Sequence, residues 1–482
     1  MTGTRELVLS SFFEWIRYGE RRIFWLAGMA GTGKTSIAVT LCRMLHANPN
    51  VILGGAFFCS RSAGSLHRTE VRRIIPTLAA SFAELSAAFA TALAAQVKKD
   101  PRIGHKPVSS QIDPLLVEPL GQLTSTTYPV VFLVDALDEC SDQRELGELL
   151  IAIAGFESDA KVKFILTSRP EMHIRGTPIS SPDHSAILQL HTISEKEVTS
   201  DIRHYITCTL NAAATEATWY TQDDIEALVR LSQGLFIFAS TVLLYVLSRE
   251  HVKGRKERLY KVSSAAAHGT AVTASLDRIY EMIVLEAARS DVLDEDELRA
   301  SQRVVACILA ARSSLSVQAL ADFLDSDVEE VRGSLERLHS VIHLPAQDAI
   351  PGVRVLHASF ADYITSRAAH HILVDAAMGD GILARGCLHV MFKLLHFNIS
   401  RSESSYGLTS PTRPNSITLS LEYACLEWIY HIAKMPDASV LDGDIHTVFC
   451  PRFLFWLEVL CVLQKIRRAA AMLVFAAATV CK

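Results

Sequence analysis

Residues 22–45 read RIFWLAGMAGTGKTSIAVTLCRML, and this stretch decides the fold. Ile23, Phe24, Trp25, Leu26 and Ala27 make an apolar run of the length of a buried strand. Residues 28–35, GMAGTGKT, fit G-x-x-x-x-G-K-[ST] at every position. Ile37, Ala38, Leu41, Cys42 and Leu45 then recur at helical spacing. Strand, glycine loop and helix, in that order, are the setting of a phosphate-binding loop, which a chance match in a turn would lack. Gly28, Gly31 and Gly33 let the backbone turn tightly and aim its N–H groups at phosphate oxygens. The helix N-terminus adds partial positive charge at the same point. The expected nucleotide-binding set is therefore Gly28, Ala30, Gly31, Thr32, Gly33, Lys34, Thr35 and Ser36. Lys34 is placed to reach the β- and γ-phosphates, and the Thr35 hydroxyl to bind Mg²⁺.

Outward from this loop, residues 128–140 read YPVVFLVDALDEC. A second apolar strand, 130–134, runs directly into Asp135, Asp138 and Glu139. This is a Walker B arrangement, an apolar strand delivering a carboxylate beside the phosphate loop. Asp135 is expected at the magnesium site, through water, and Glu139 or Asp138 to orient or deprotonate the attacking water. Asp142 and Glu145 resemble a capping box, but helix capping does not account for three acids beside an apolar strand. Residues 162–170, VKFILTSRP, form a third short strand ending in Thr167, Ser168 and Arg169. Polar residues at the carboxyl end of a parallel strand face the ligand crevice, which makes Arg169 a candidate sensor of the γ-phosphate or else a surface ion pair.

Composition bounds the rest. At 482 residues the chain has room for about three domains. The net charge of −5 gives no case for nucleic acid as a bulk electrostatic partner. The ten cysteines form no C-x-x-C and no zinc spacing with histidine, which suits reduced thiols in a cytoplasmic protein. No signal-peptide core follows Met1. Residues 469–481 are apolar but too short to span a membrane, and 453–463 are interrupted by Glu458. These two runs read as packed helices, with no membrane span.

In chain order, 4–18 reads as a helix, 51–59 as a strand containing Gly54 and Gly55, and 69–95 as helix broken at Pro76. Strand signals thin out from about residue 193. Ser194 and Glu197 open a helix to about residue 210, 224–248 is helical on both sides of Gly234, and 253–271 reads as a basic, exposed linker. Helices at 276–288, 302–311 and 315–338 precede a short strand at 353–356, followed by His357, suggesting a winged-helix unit. The histidines at 370, 371, 389 and 396 have no metal-site spacing.

Together, FWLAGMAGTGKT, AFFCSR, VVFLVDALDEC, FILTSRPE, GLFIFAST, LHSVI, LHASFADYI, YACLEW and FLFWLEVL resemble the NACHT group of STAND NTPases. More narrowly they resemble the NACHT proteins of mushroom-forming fungi, relatives of animal Nod-like receptors and of nephrocystin-like P-loop proteins. The resemblance implies that Lys34 and Thr35 hold phosphate and magnesium, with Asp135 the Walker B acid and Asp138 and Glu139 the hydrolytic pair. It implies Arg169 at the first sensor position, Thr4 and Arg5 near adenine, and His357 on the ADP β-phosphate of a closed form. Phe236 departs from the proline that plant and animal relatives place against adenine. The relatives usually carry an N-terminal effector segment and C-terminal repeats, so the expectation is a truncated gene product or a stand-alone switch module.

The expected fold is an α/β P-loop NTPase domain with a parallel sheet over 1–190, then a helical domain and linker over 191–272. A winged-helix-like domain over 273–366 and a C-terminal helical region over 367–482 follow. The expected function is an ATP/ADP switch with slow hydrolysis, self-associating through the NACHT domain and signalling to protein partners in fungal non-self recognition or regulated cell death. A GTPase is disfavoured because no N-K-x-D motif occurs. An AAA-type motor would show fast turnover and hexamers. A non-enzymatic nucleotide-binding scaffold, or a truncated decoy of a longer receptor, is the alternative.

Overall fold

The computed structural model describes residues 3–60, 68–123, 128–156, 161–213, 219–248, 251–265, 272–287, 295–345, 352–366, 374–401 and 416–480. The chain forms two compact units, with the boundary between Ser275 and Leu276.

The first unit opens with α1 (Glu6–Tyr18), β1 (Ile23–Ala27), α2 (Lys34–His46) and β2 (Ile52–Phe58). It continues through α3 (Ile74–Leu85), α4 (Ala87–Lys99), α5 (Glu118–Gly121), β3 (Val130–Asp135), α6 (Gln143–Ala154), β4 (Val162–Ser168), α7 (Met172–Arg175) and β5 (Ser185–Gln189). The strands make one parallel sheet in the order β2-β3-β4-β1-β5. β1, β3 and β4 are buried along their whole length, because helices cover both faces. Alternation sorts the side chains. Phe24 and Leu26 pack with Phe12, Trp15, Ile37 and Leu41 of α1 and α2. Ile23 and Trp25 pack on the opposite face with Phe82, Phe132, Leu149 and Phe164. In β2 the register shifts between Leu53 and Gly55, and a methyl group on Gly54 would lie 2.7 Å from the Phe132 ring. The glycines there let an edge strand sit tightly on its neighbour.

One helix reading is corrected. Pro76 does not break the helix at 69–95. It sits in the first turn of α3, where no intrahelical partner is required of its nitrogen. The break falls at Ser86, whose hydroxyl caps α4 by accepting the Phe89 N–H at 3.3 Å. β5, a short strand with polar ends, escapes an apolar-run criterion altogether, yet it pairs with β1 from Ile23–Ser185 to Ala27–Gln189.

α8 (Glu195–Ala212), α9 (Gln222–Ser232), α10 (Phe236–Leu247) and α11 (Val252–Ala265) complete this unit. The expected linker at 253–271 is corrected over its described part: it is α11. Leu259 and Val262 are buried, Arg255 and Arg258 act as clamps, and Lys253, Lys256 and Lys261 are exposed. Arg255 donates to Ala213 O at 3.0 Å, and the Arg258 guanidinium lies 4.2 Å from the Tyr245 ring centroid. The rest of that stretch, 266–271, lies outside the described residues.

α12 (Val272–Ala287) runs across the boundary, and past it come α13 (Glu295–Ala310), α14 (Val317–Leu324), α15 (Val328–Glu336), β6 (Ile342–His343), β7 (Arg354–Val355) and α16 (Ala358–Ser366). β6 and β7 pair antiparallel, Ile342 with Val355, and Leu315 bridges to Val353. α17 (Ala376–Leu394), α18 (Leu419–Lys434), α19 (Asp442–Val462) and α20 (Ile466–Val480) follow. Their packing includes a buried polar chain. His431 Nδ1 meets Asp380 at 2.7 Å, and its Nε2 meets the Tyr423 hydroxyl at 2.7 Å. Among the described residues one stretch, Ser439–Val462, is long and apolar enough to cross a membrane by length and composition. Only 22% of its apolar window is buried, Leu454 being exposed, while Trp456 is fully buried and donates to Cys425 O at 3.0 Å.

Candidate functional site

Parallel strands deliver their carboxyl ends to one edge of a sheet. Here the adjacent strands β3, β4 and β1 bring Asp135, Ser168 and Ala27 to that edge, each followed by a loop that carries expected site residues. The loop after β1 is held at its root by Gly28 N–H donating to Ser168 O at 3.1 Å. Gly31 and Gly33 take φ of +75° and +93° on the way into α2. Thr32 closes the turn by donating to Met29 O at 2.8 Å. Ala30 and Thr32 are half-buried, and Thr35 and Ser36 are exposed on the first turn of α2.

Lys34 is buried at the centre. Its Nζ donates to Gly28 O at 2.6 Å and Met29 O at 3.0 Å. Burial pushes the ammonium below its usual range, Asp138, Asp135 and Glu139 pull it back up, and Arg169 pushes it down. The fold thus gathers five sequence-predicted residues into one electrostatic cluster.

Asp135 is 1% exposed, and burial raises its pKa, opposed by hydrogen bonds from the Thr167 and Thr35 hydroxyls and by Lys34. Thr167 donates to Asp135 Oδ1 at 2.5 Å. Beyond Asp135 the chain turns through Ala136, at φ +58°, into the short helical turn Leu137–Glu139. Asp138 is buried and committed to Arg169. Its Oδ1 accepts the Arg169 backbone N–H at 2.8 Å and its Oδ2 lies 3.1 Å from Arg169 Nε. Glu139 is half-buried on the same turn.

Arg5 forms the other wall. It too has positive φ, +58°, and is 7% exposed. Its backbone N–H donates to Asp201 of α8 at 3.2 Å, and its Nη2 to Thr32 O of the glycine loop at 3.2 Å. Its guanidinium carbon lies 4.9 Å from the Phe236 ring centroid, and its Nη1 is buried without a hydrogen-bonding partner among the described residues. Burial pushes the Arg5 pKa down, against Asp201. Thr4 beside it is buried. Phe236 opens α10, whose Ile237 N–H donates to Gly31 O at 3.3 Å. The departure from proline at 236 therefore places an aromatic ring under a buried guanidinium. Asp201 was not legible beforehand, since it lies 196 residues from Arg5 in the chain. Thr167 was legible as a polar group on a wholly buried strand, which must find a partner.

His357 is not part of this unit. It belongs to the second, where its Nδ1 accepts the Ser359 N–H at 3.1 Å and meets the Ser359 hydroxyl at 2.7 Å.

The donor set suits a small hard cation. Thr35 offers a hydroxyl and Asp135 a carboxylate, the oxygen ligands Mg²⁺ takes while keeping several waters. Among the described residues no cluster of histidine, cysteine and carboxylate could hold a metal by protein ligands alone.

Residues 2–169 match the family described as Nephrocystin 3, N-terminal. The vegetative incompatibility protein HET-E-1 of Podospora anserina is 22% identical, the alignment covering 94% of this chain and 34% of that protein. The chain thus spans about a third of the length of this curated relative. Among solved structures, a STAND protein with a tetratricopeptide repeat sensor from Pyrococcus horikoshii aligns at 12% identity and TM-score 0.40, over 97% of this chain and 63% of that one. Cdc6p from Pyrobaculum aerophilum aligns at 11% identity and TM-score 0.36, over 77% and 96%. The glycine loop and the parallel sheet that carries it give this chain an α/β P-loop NTPase domain, and its similarity to the nephrocystin family over residues 2–169 and to the fungal relative supports the NACHT/STAND kind.

Proposed function

We propose that the protein is an ATP/ADP-dependent signalling switch with slow hydrolysis. The observation that carries this reading is Lys34, buried against its own loop carbonyls amid Asp135, Asp138, Glu139 and Arg169. On this reading the loop from Gly28 to Ser36 cradles the phosphates and Lys34 exchanges Gly28 O and Met29 O for phosphate oxygens. Thr35 and the Walker B acid Asp135 hold hydrated Mg²⁺, which would neutralise charge on the phosphates. Arg169 senses the γ-phosphate, and releasing Asp138 from Arg169 is part of forming the hydrolytic state in which Glu139 or Asp138 orients water. Thr4 and Arg5 line the base, with the unpartnered Arg5 Nη1 available to an acceptor on it. His357, on the winged-helix-like domain, contacts the ADP β-phosphate in the closed state.

ADP then favours a form in which the P-loop domain, 1–190, is held by the parts at 191–272 and 273–366. ATP favours an open form that self-associates. The two nucleotides must differ in affinity for the two forms for this to work. The name of the fungal relative, a vegetative incompatibility protein, supports a role in non-self recognition; regulated cell death and a cytoplasmic site of action belong to the same reading.

A nucleotide-binding scaffold without turnover is the second reading, and the engagement of Asp138 by Arg169 favours it. One experiment tests both. The purified chain is denatured and the released nucleotide identified, with Lys34→Ala as control, and ATP turnover is followed on the native protein. ADP in the wild type and none in the variant supports the switch. Bound nucleotide with no turnover supports the scaffold. An empty protein that also fails to take up added ATP overturns both.

A further inference from the structure

Thr167 lies on β4, between β3 and β1, on a strand buried along its whole length. A hydroxyl there cannot reach water and must be satisfied within the fold. It finds two partners at the end of β3. Its Oγ1 donates to Asp135 Oδ1 at 2.5 Å and accepts the Ala136 N–H at 2.9 Å. The two bonds act differently. The first occupies one carboxylate oxygen and fixes the plane of the group. The second anchors the amide of Ala136, which holds the positive φ that non-glycine residues avoid. Ala136 starts the turn that carries Asp138 and Glu139. One hydroxyl therefore sets both the carboxylate beside Thr35 and the heading of the acidic turn. Its neighbour Ser168 serves the core instead, accepting the Trp25 indole N–H at 2.8 Å.

We infer that Thr167 is the positioning residue for the metal-side carboxylate, holding Asp135 in the orientation that accepts a hydrated divalent cation on the nucleotide. The inference rests on the nucleotide-switch reading above. Thr167 touches neither phosphate nor cation in this role. It acts through Asp135, as outer-shell partners act on metal ligands.

The test measures the affinity of the full chain for a fluorescent ATP analogue, in EDTA and in Mg²⁺. The proteins are wild type, Thr167→Val, Thr167→Ser, Asp135→Asn and the double variant Asp135→Asn/Thr167→Val. Valine keeps the shape and removes the hydroxyl. It is expected to bind as wild type in EDTA and to lose the gain that Mg²⁺ confers, by about 10- to 100-fold at full effect. Serine is expected to keep that gain, and the valine change to add nothing once Asp135 is replaced. Wild-type Mg²⁺ dependence in the valine variant would overturn the inference. So would equal losses in EDTA and Mg²⁺, which mark a merely structural hydroxyl, or a serine variant no better than valine. A wild type that binds no analogue in either buffer would overturn the switch reading itself and this inference with it, and that outcome is distinct because no variant can then differ from it.

Discussion

Gly31 is fixed twice over. Its φ of +75° suits glycine, and a methyl group there would meet Ile237 Cγ2 at 2.3 Å. Gly31→Ala is expected to destabilise the nucleotide-free protein by about 1–3 kcal/mol, the range for forcing extra bulk into a packed site. Adding Ile237→Ala removes the obstacle but not the backbone strain, so the double variant is expected to recover only part of the loss. Thermal melts of both proteins check this, and identical melts would mean that Ile237 is not what the methyl group meets. The phosphate pattern demands glycine at 28 and 33 and leaves position 31 open. It does not show that α10 presses on the loop from far along the chain. The same holds for Arg5: the resemblance implies a place near the base, whereas its anchors, Asp201 and Phe236, are tertiary partners with no local signature.

At the level of elements, α1 is tied to the sheet by one side chain. Lys163 of β4 donates to the carbonyls of Trp15 at 3.1 Å, Gly19 at 2.7 Å and Arg21 at 3.3 Å, and lies 4.4 Å from the Trp15 ring centroid. It serves as the C-terminal cap of α1 from a distance. Burial, with Arg22 adding to it, brings its pKa from 10.5 to about 8. Between those values the unfolded chain binds the proton more tightly than the folded one, so the contribution of Lys163 to stability rises with pH across that window. Melting temperatures from pH 7.5 to 9.5 are expected to shift upward for the wild type relative to Lys163→Met. Parallel curves would show that the group does not titrate there. A lysine inside VKFILTS is visible in the sequence, but its three acceptors are not. The strands that were legible are those with an apolar run, β1, β2, β3 and β4, and the helix α1 was legible from its apolar side. β5 was not, being short and polar at both ends, and α11 was not, because Arg258 and Arg255 look solvated until Tyr245 and Ala213 are placed beside them.

At the level of the molecule, the switch reading makes the two units carry different parts of one task, with Lys34 in the first and His357 in the second. His357→Ala is then expected to weaken ADP binding about 10-fold, as the loss of a charge-assisted hydrogen bond does, while ATP affinity stays within about two-fold. Titration calorimetry with each nucleotide checks it, and equal effects on ADP and ATP would remove His357 from the closed-state contact. The strand order has a consequence for how the protein is made. β1 is the first strand to be synthesised, yet its only neighbours are β4 and β5, the last two of the sheet. Ile23 has to wait for Phe164 and Ser185 to leave the ribosome before either edge of its strand is paired. At ~5–20 residues per second that interval is on the order of ten seconds. For that time the nascent chain presents IFWLA with nothing to pair against, a ready target for chaperones and for neighbouring chains on the same message.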